Sequence, residues 1–494
     1  MKKLLTTTFF FLMLSIQAQF TQKGTDIDGL VFGDRFGESV ASNSDGSIIA
    51  IGAPYHDYEY VSGSFINDSG SVRVFQYNSS SQAWEQLGNT IEGGNNLGDF
   101  SGLSVSLNDD GYRLAVGVPN SGDVSYGRVK IYHYNSTTEN WDIIGAVAGD
   151  TSVGGRFGSS VSLSSNGLAF VAGAPYGDYA RVYQYNPLLS QWNQVGSSIV
   201  GDSYTFFGKS VDINADATRV IIGAPDSNAY KGKVMVYDWD EATNTWTLVA
   251  NTILGQIADE KIGYSVSINA AGNIIAASAP YYDDGIYNSR GRVKIFYRPT
   301  MNSNWIQKGN DLTPNGSQSY LFLGYDISLD ASGNKIAAGM YGNNNSTGRV
   351  KIYEYQNTDW NFLSNLDGEN EMDYAGYSVD LSDDGHTVIF GAPENNNKGS
   401  ARIFIDGTLS IEDTLDAQNI ILYPNPSNGK INIDLGKSFD QVTVSITTLQ
   451  GKEVYQYDFH QTNKIKFDFL LQPGLYLVNI STDNQLKTIK MFVE

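Results

Sequence analysis

The sequence predicts an all-β protein: a seven-bladed β-propeller of four-stranded antiparallel blades, closed by the N-terminal strand, plus a small C-terminal β-sandwich. Three observations carry this expectation. A glycine-centred pentapeptide returns seven times, with Gly37, Gly102, Gly158, Gly208, Gly263, Gly324 and Gly376 as its markers, at a spacing of about 56 residues. Each copy is followed by the same order of strand-like segments and turns. The composition, 52 Gly and 31 Tyr with only 17% charged residues, is that of a chain rich in hairpins and aromatic packing.

The chain opens on Lys2 and Lys3, then an apolar stretch from Leu4 to Ile16, then Gln17, Ala18 and Gln19. This order reads as a signal peptide over residues 1–19, too short for a spanning helix, and no later segment reads as one. A buried N-terminal helix fits less well, because Gly-rich strand sequence follows at once. The chain has no cysteine, which excludes disulfides and thiolate metal sites. Four scattered histidines, His56, His133, His386 and His460, leave little for a histidine metal site. The net charge of −21 argues against nucleic acid and anionic lipid as partners.

Residues 20–406 hold the repeat. Its first segment is FGESV at Phe36, FGSSV at Phe157 and FGKSV at Phe207, with looser copies at Ser101, Ile262, Leu323 and Ala375. Short turns such as NSDGS at Asn43 follow, where Asn, Asp and Gly tolerate positive φ. The second segment is a continuous apolar run ending in Gly-Ala-Pro, the pattern of a strand covered on both faces. The third alternates, as in GRVKIY at Gly127, and the fourth opens on Trp84, Trp141, Trp192, Trp246, Trp305 or Trp360. Six tryptophans in equivalent places read as anchors between blades. The seventh is missing, and its counterpart stands at the other end, where FTQKG at Phe20 matches WIQKG at Trp305. The N-terminal segment therefore supplies the outer strand of the last blade and hides its edge.

The recurring FG…GAP pattern resembles the FG-GAP propeller of integrin α-subunit headpieces and many bacterial surface proteins. In that family an acidic loop between the first two strands often binds calcium. The turns here, such as those at Ser42, Leu107, Ile213 and Leu329, lack the alternating carboxylates, so calcium at these hairpins is not implied.

Residues 407–418 read as a linker. Residues 419–494 then alternate in strand fashion between Gly, Asn and Pro turns. YPNPSNG at Tyr423, LQGKEV at Leu449, PGLYLV at Pro473 and the Lys-containing last strand resemble the type A C-terminal sorting domain of the bacterial type IX secretion system. That resemblance implies a Bacteroidota-type source and the type IX secretion machinery as a partner. It also implies a secreted or outer-membrane-surface location.

The loops after Gly-Ala-Pro share one face, and Tyr and Asp converge on its rim. Tyr55, His56, Asp57, Tyr58, Tyr176, Asp178, Tyr179, Asp226, Tyr281, Tyr282, Asp283 and Asp284 form the expected ligand site. Aromatic faces beside carboxylates suit a glycan, and tyrosine also suits a protein surface. Two acidic runs on the same face, Asp26, Asp28 and Asp34, and Asp367, Glu369, Glu371 and Asp373, offer oxygens for calcium, the one cofactor suggested. No catalytic constellation is legible: His56 has no constrained nucleophile near it, and no G-x-S-x-G elbow occurs. The expectation is a non-catalytic binding or adhesion protein. A polysaccharide-acting enzyme and a passive surface scaffold are the alternatives.

Overall fold

The computed structural model describes residues 20–59, 65–93, 97–122, 124–300, 303–407, 421–423, 427, 429–448, 453–472, 474–482 and 485–493. The expected leader and nearly all of the expected linker lie outside these residues. Two compact units divide the chain, Met1–Asp406 and Gly407–Glu494.

In the first unit, four antiparallel strands in chain order make a sheet, and the sheet repeats along the chain. The first of them runs Ser39–Ser42, Ile48–Ala53, Ser71–Asn78 and Ala83–Gln86. Its second strand is buried throughout, as the continuous apolar run requires. The equivalent first strands are Ser104–Leu107, Ser160–Leu163, Val211–Ile213, Val266–Ile268, Ile327–Leu329 and Ser378–Leu381. Each touches the next, and Ser378–Leu381 touches Ser39–Ser42, so the contacts close into a cycle. The last sheet is completed from the other end of the unit: Phe20–Gln22 pairs antiparallel with Ser400–Asp406, and Phe20 is buried.

A first strand has one side without a hydrogen-bonded neighbour, and its amides need acceptors. The serines of the repeat supply them. Ser378 Oγ accepts from Val40 N at 3.1 Å, Ser104 Oγ from Val161 N at 2.9 Å, and Ser210 Oγ from Val266 N at 3.0 Å. Two carboxylates serve in the same way, with Ile268 N donating to Asp212 at 2.8 Å and Ser42 N to Asp380 at 2.7 Å. The small polar residues of the first segment are thus inter-sheet staples.

The tryptophans act at the outer edge. Trp84 Nε1 donates to Lys23 O at 2.8 Å, Trp141 to Leu87 O at 2.8 Å, Trp246 to Val195 O at 2.9 Å and Trp360 to Lys308 O at 2.7 Å. Each acceptor belongs to the preceding sheet. The residue after it is a glycine with φ of +70° to +77°, at Gly24, Gly88, Gly196 and Gly309, and a Cβ there would lie within 3.3 Å of the tryptophan ring. Ala250 takes this position before Trp305, with φ +61°. An L-residue pays for that conformation, so Ala250→Gly is expected to stabilise the unit by about 0.5–1 kcal/mol, read as a raised urea midpoint.

The second unit holds Ile421–Tyr423, Lys430–Thr448, Glu453–Asp468, Gly474–Thr482 and Gln485–Val493. These strands are hydrogen-bonded to one another without a break. The long strand Lys430–Thr448 takes part at both ends. Its buried positions run Ile431, Ile433 and Leu435, then Val442, Val444 and Ile446, so their parity changes across a register break between Asp434 and Phe439. Both halves join one core cluster with Val478, Ile480 and Met491.

Candidate functional site

A channel of about 270 Å³ is enclosed by the first strands. At its narrow mouth the backbone forms a belt. Ser44 N donates to Asp109 O, Asp109 N to Ser165 O, Ser165 N to Ala215 O, Ala215 N to Ala270 O, Ala270 N to Ala331 O, and Ala331 N to Asp383 O. Asp384 N donates back to Ser44 O at 3.3 Å and closes the loop. Inside the channel, burial pushes Asp212 and Asp326 up to about 6, against the pull of their hydrogen bonds. Their hydrogen-bond donors are strand serines and amides, and the Asp380 carboxylate adds to the upward push, so these carboxylates are part of the stapling.

The wide mouth opens into a cavity of about 430 Å³. Its inner tier is the residue after each marker glycine: Glu38, Leu103, Ser159, Lys209, Tyr264, Tyr325 and Tyr377 all line it. The first position of the pentapeptide also varies, but its residues, from Phe36 to Ala375, are buried in every copy, whereas this one changes between charged, polar, aliphatic and aromatic side chains. Tyr264, Tyr325 and Tyr377 form a wall, with ring centroids 5.1 and 4.7 Å apart, and Tyr325 Oη donates to Tyr377 Oη at 3.0 Å. Burial raises all three phenols, which stay neutral. Leu103 and Ser159 leave the opposite side open.

The outer tier has a common backbone origin. Arg35, Phe100, Arg156, Phe206, Lys261, Phe322 and Tyr374 occupy equivalent places in the connections between sheets, and all have φ between +51° and +58°. Bulky residues rarely adopt this conformation, and here it recurs seven times with aromatic or cationic side chains. Most of them meet the residue after Gly-Ala-Pro of the preceding sheet. Tyr55 packs on Phe100 at 5.1 Å, Tyr176 on Phe206 at 5.0 Å and Tyr281, after Ser-Ala-Pro, on Phe322 at 5.6 Å, while Tyr341, which stands at the proline's place, meets Tyr374 at 5.6 Å. Where the pair is charged it is an ion pair, Asp226–Lys261 at 2.9 Å and Glu394–Arg35 at 3.2 Å.

Two cations in the cavity are free of such partners. Lys209 Nζ lies 5.0 Å from the Tyr264 ring and the Arg156 guanidinium 4.3 Å from the Tyr176 ring. Neither has an ion-pair partner within 4 Å among the described residues. Burial lowers the Lys209 ammonium from its ordinary value. The carboxylates bordering the cavity are engaged: Glu38 with Arg35 at 3.2 Å, and Asp326 with Ser265 Oγ, Ile327 N and Val379 N.

Of the rim residues expected from sequence, the structure brings Tyr55 and Tyr176 to the cavity, with Tyr281 and Asp226 in the ring around it. Burial moves the Tyr281 phenol up to about 12. The others build the scaffold. His56 Nδ1 lies 3.0 Å from Asp34, an ion-pair geometry that raises its pKa, and Asp57 accepts from Asp68 N. Tyr58 belongs to a two-residue strand paired with Phe65–Ile66. Asp178 has φ +52° where other sheets carry glycine, and its carboxylate caps the amides of Tyr204, Thr205 and Phe207. Tyr179 is buried and accepts from Asp150 N, while Tyr282 lies beneath Arg292 at 4.1 Å. Asp283 accepts from Ser289 N, and Asp284 pairs with Arg290 at 3.3 Å.

The acidic runs are also taken up internally. Asp26 bonds Arg402 at 3.0 Å, Glu369 reaches the same guanidinium at 3.5 Å, and the carbonyl of Asp367 accepts from it at 2.9 Å. The cation these residues surround is an arginine. Asp28 O accepts from Arg73, the Asp367 carboxylate pairs with Arg349, Glu371 accepts from Asn345, and Asp373 accepts from Asn370 N and Asn395 Nδ2. Among the described residues no group of three or more His, Cys, Asp or Glu could hold a metal ion.

Comparison with known proteins adds two facts. A search of the curated proteins returns no match. Among solved structures, hydrazine synthase from Kuenenia stuttgartiensis is similar at 14% identity with a TM-score of 0.50, over 77% of this chain and 97% of that one. The periplasmic gluconolactonase PpgL from Pseudomonas aeruginosa is similar at 14% identity with a TM-score of 0.46, over 67% and 86%. The first of these likenesses concerns the fold alone, which is propeller-like. Residues 421–494 match the secretion system C-terminal sorting domain, which indicates export through the type IX system to the cell surface or beyond.

Proposed function

We propose that the chain is a surface-displayed or released seven-bladed propeller of the FG-GAP kind, a non-catalytic binding and adhesion protein whose wide mouth takes an extracellular glycan. The observation that carries this reading is the outer tier. Seven non-glycine residues hold a left-handed conformation, and the side chains placed there are large rings and cations around a cavity. Strained backbone of this kind persists where the surroundings over-determine it, and it concentrates at binding sites. Tyrosine rings suit the C–H faces of sugars, and the hydroxyls at the Tyr325–Tyr377 pair suit sugar oxygens. Exposed apolar side chains continue the face outward, with Phe32 73%, Leu97 75% and Tyr204 91% exposed. Such a border favours contact with a macromolecule rather than a free metabolite.

The test is a glycan and matrix array probed with the mature chain and with Tyr176→Ala and Tyr264→Ala. Tyr176 is 53% exposed, so its loss should cost only the Phe206 and Arg156 contacts, about 1–2 kcal/mol. Both variants are expected to lose most of the array signal while the Tyr176 variant stays folded at the temperature of the array. Signal unchanged in both would remove the wide mouth from consideration, and turnover of a bound polymer would favour the enzyme alternative.

A further inference from the structure

The charge inside the cavity runs against the charge of the chain. With 53 acidic and 32 basic residues, an unengaged basic group facing an opening is the less expected outcome. At the wide mouth the acidic groups have ion-pair or hydrogen-bond partners, and two basic groups have no ion-pair partner within 4 Å among the described residues. Glu38 is held by Arg35, and the Asp326 carboxylate already receives three donors. Lys209 and Arg156 lie over the ring faces of Tyr264 and Tyr176, and Asp326 and Glu38 act on Lys209 only from beyond ion-pair distance. An ammonium removed from bulk water without a carboxylate partner carries a desolvation cost, and an incoming anion relieves it. A ring face contributes part of that relief and leaves the N–H donors of both side chains available.

We infer that the cavity takes an acidic saccharide, with the ring carboxylate of a uronic acid received by Lys209 and Arg156 and its sugar face laid on Tyr176 or Tyr264. This inference rests on the glycan-binding reading above and narrows it to one class of glycan. A guanidinium and an ammonium together match a carboxylate, since the first can bond both oxygens and the second supplies a point charge. The neutral phenols of the Tyr264, Tyr325 and Tyr377 wall can donate to the sugar hydroxyls and set no like charge against the carboxylate.

The experiment is calorimetric titration of the mature chain with tetramers of galacturonic and of mannuronic acid, each beside its methyl ester, which keeps the sugar and removes the charge. The expected result is at least about tenfold tighter binding of the acid form at low salt, a preference that shrinks as salt rises. Lys209→Met and Arg156→Gln, each melting as the parent does, should bring acid and ester to within about twofold of each other. Equal affinity of acid and ester in the parent, or a preference that survives both substitutions, overturns the inference. Binding of hexaglutamate with the same dependence on Lys209 would overturn the saccharide assignment in favour of an acidic peptide. If neutral glycans bind through Tyr176 and Tyr264 while the acids do not, the acidic class fails and the glycan-binding reading stands. If no saccharide binds, both fail.

Discussion

A chain beginning at Gly29 after export should lose the cooperative fold of residues 20–406 as a whole. Phe20–Gln22 covers the otherwise open edge of Ser400–Asp406, and Ile27–Asp28 pairs with the same strand at Ala401 and Ser400. Phe20 and Ile27 are both buried, each contributing about 1.5–3 kcal/mol. Asp26 bonds Arg402, and Lys23 O is the acceptor for Trp84 of the first sheet. These contacts join the last sheet to the first, so their removal opens a cycle that every other sheet depends on. A fall of about 5 kcal/mol or more in urea unfolding is expected, comparable with the whole stability of many domains. Far-ultraviolet and tryptophan signals should shift together. A midpoint unchanged beyond local fraying would show that the ring does not need its N-terminal strand.

Trp141→Ala should be the most damaging single substitution at an outer edge. The ring is buried, packs 5.5 Å from Tyr134, and donates to Leu87 O across the sheet boundary. Loss of a buried tryptophan costs about 3–5 kcal/mol through lost contacts and the cavity left behind. Leu87 O also loses its donor. Trp141→Phe separates the two contributions: it keeps a ring and removes the hydrogen bond, and about 1 kcal/mol of the loss should remain. Equal losses in both variants would assign the whole effect to the hydrogen bond, contrary to the packing account.

Most of the fold is legible in the sequence, because the repeat exposes its own grammar. The continuous runs before Gly-Ala-Pro become buried strands, the tryptophans become inter-sheet latches, and the likeness of Phe20–Gly24 to Trp305–Gly309 gives the closure. Less of the site is legible, for a geometric reason. Tyr179, Tyr282 and Asp178 sit in loops of the right face and composition, yet which side a loop residue faces depends on backbone torsions that no local pattern announces. Asp178 is the plainest case, an acidic residue in a glycine's conformation, spent on capping the next sheet. The inner tier did leave a signal. Glu38, Leu103, Ser159, Lys209, Tyr264, Tyr325 and Tyr377 change charge and polarity at one place in the pentapeptide, while its first place varies only among small and apolar residues that are buried, and a change of chemical character marks residues released from scaffold duty. In the second unit alternation predicted strands, but the parity change between Leu435 and Val442, which turns both halves of one strand into the same core, is not announced by the local pattern.

The central claim is that recognition occurs at the wide mouth, and hydrogen exchange tests it most directly. The mature chain would be followed by mass spectrometry with and without a saturating glycan that it binds. The account predicts added protection in peptides covering 204–210, 262–266, 322–327 and 374–378, with the outer strands and the narrow-mouth turns unchanged. Protection centred on the turns at 43–47, 108–112 and 382–386, or on the tryptophan strands, would contradict it.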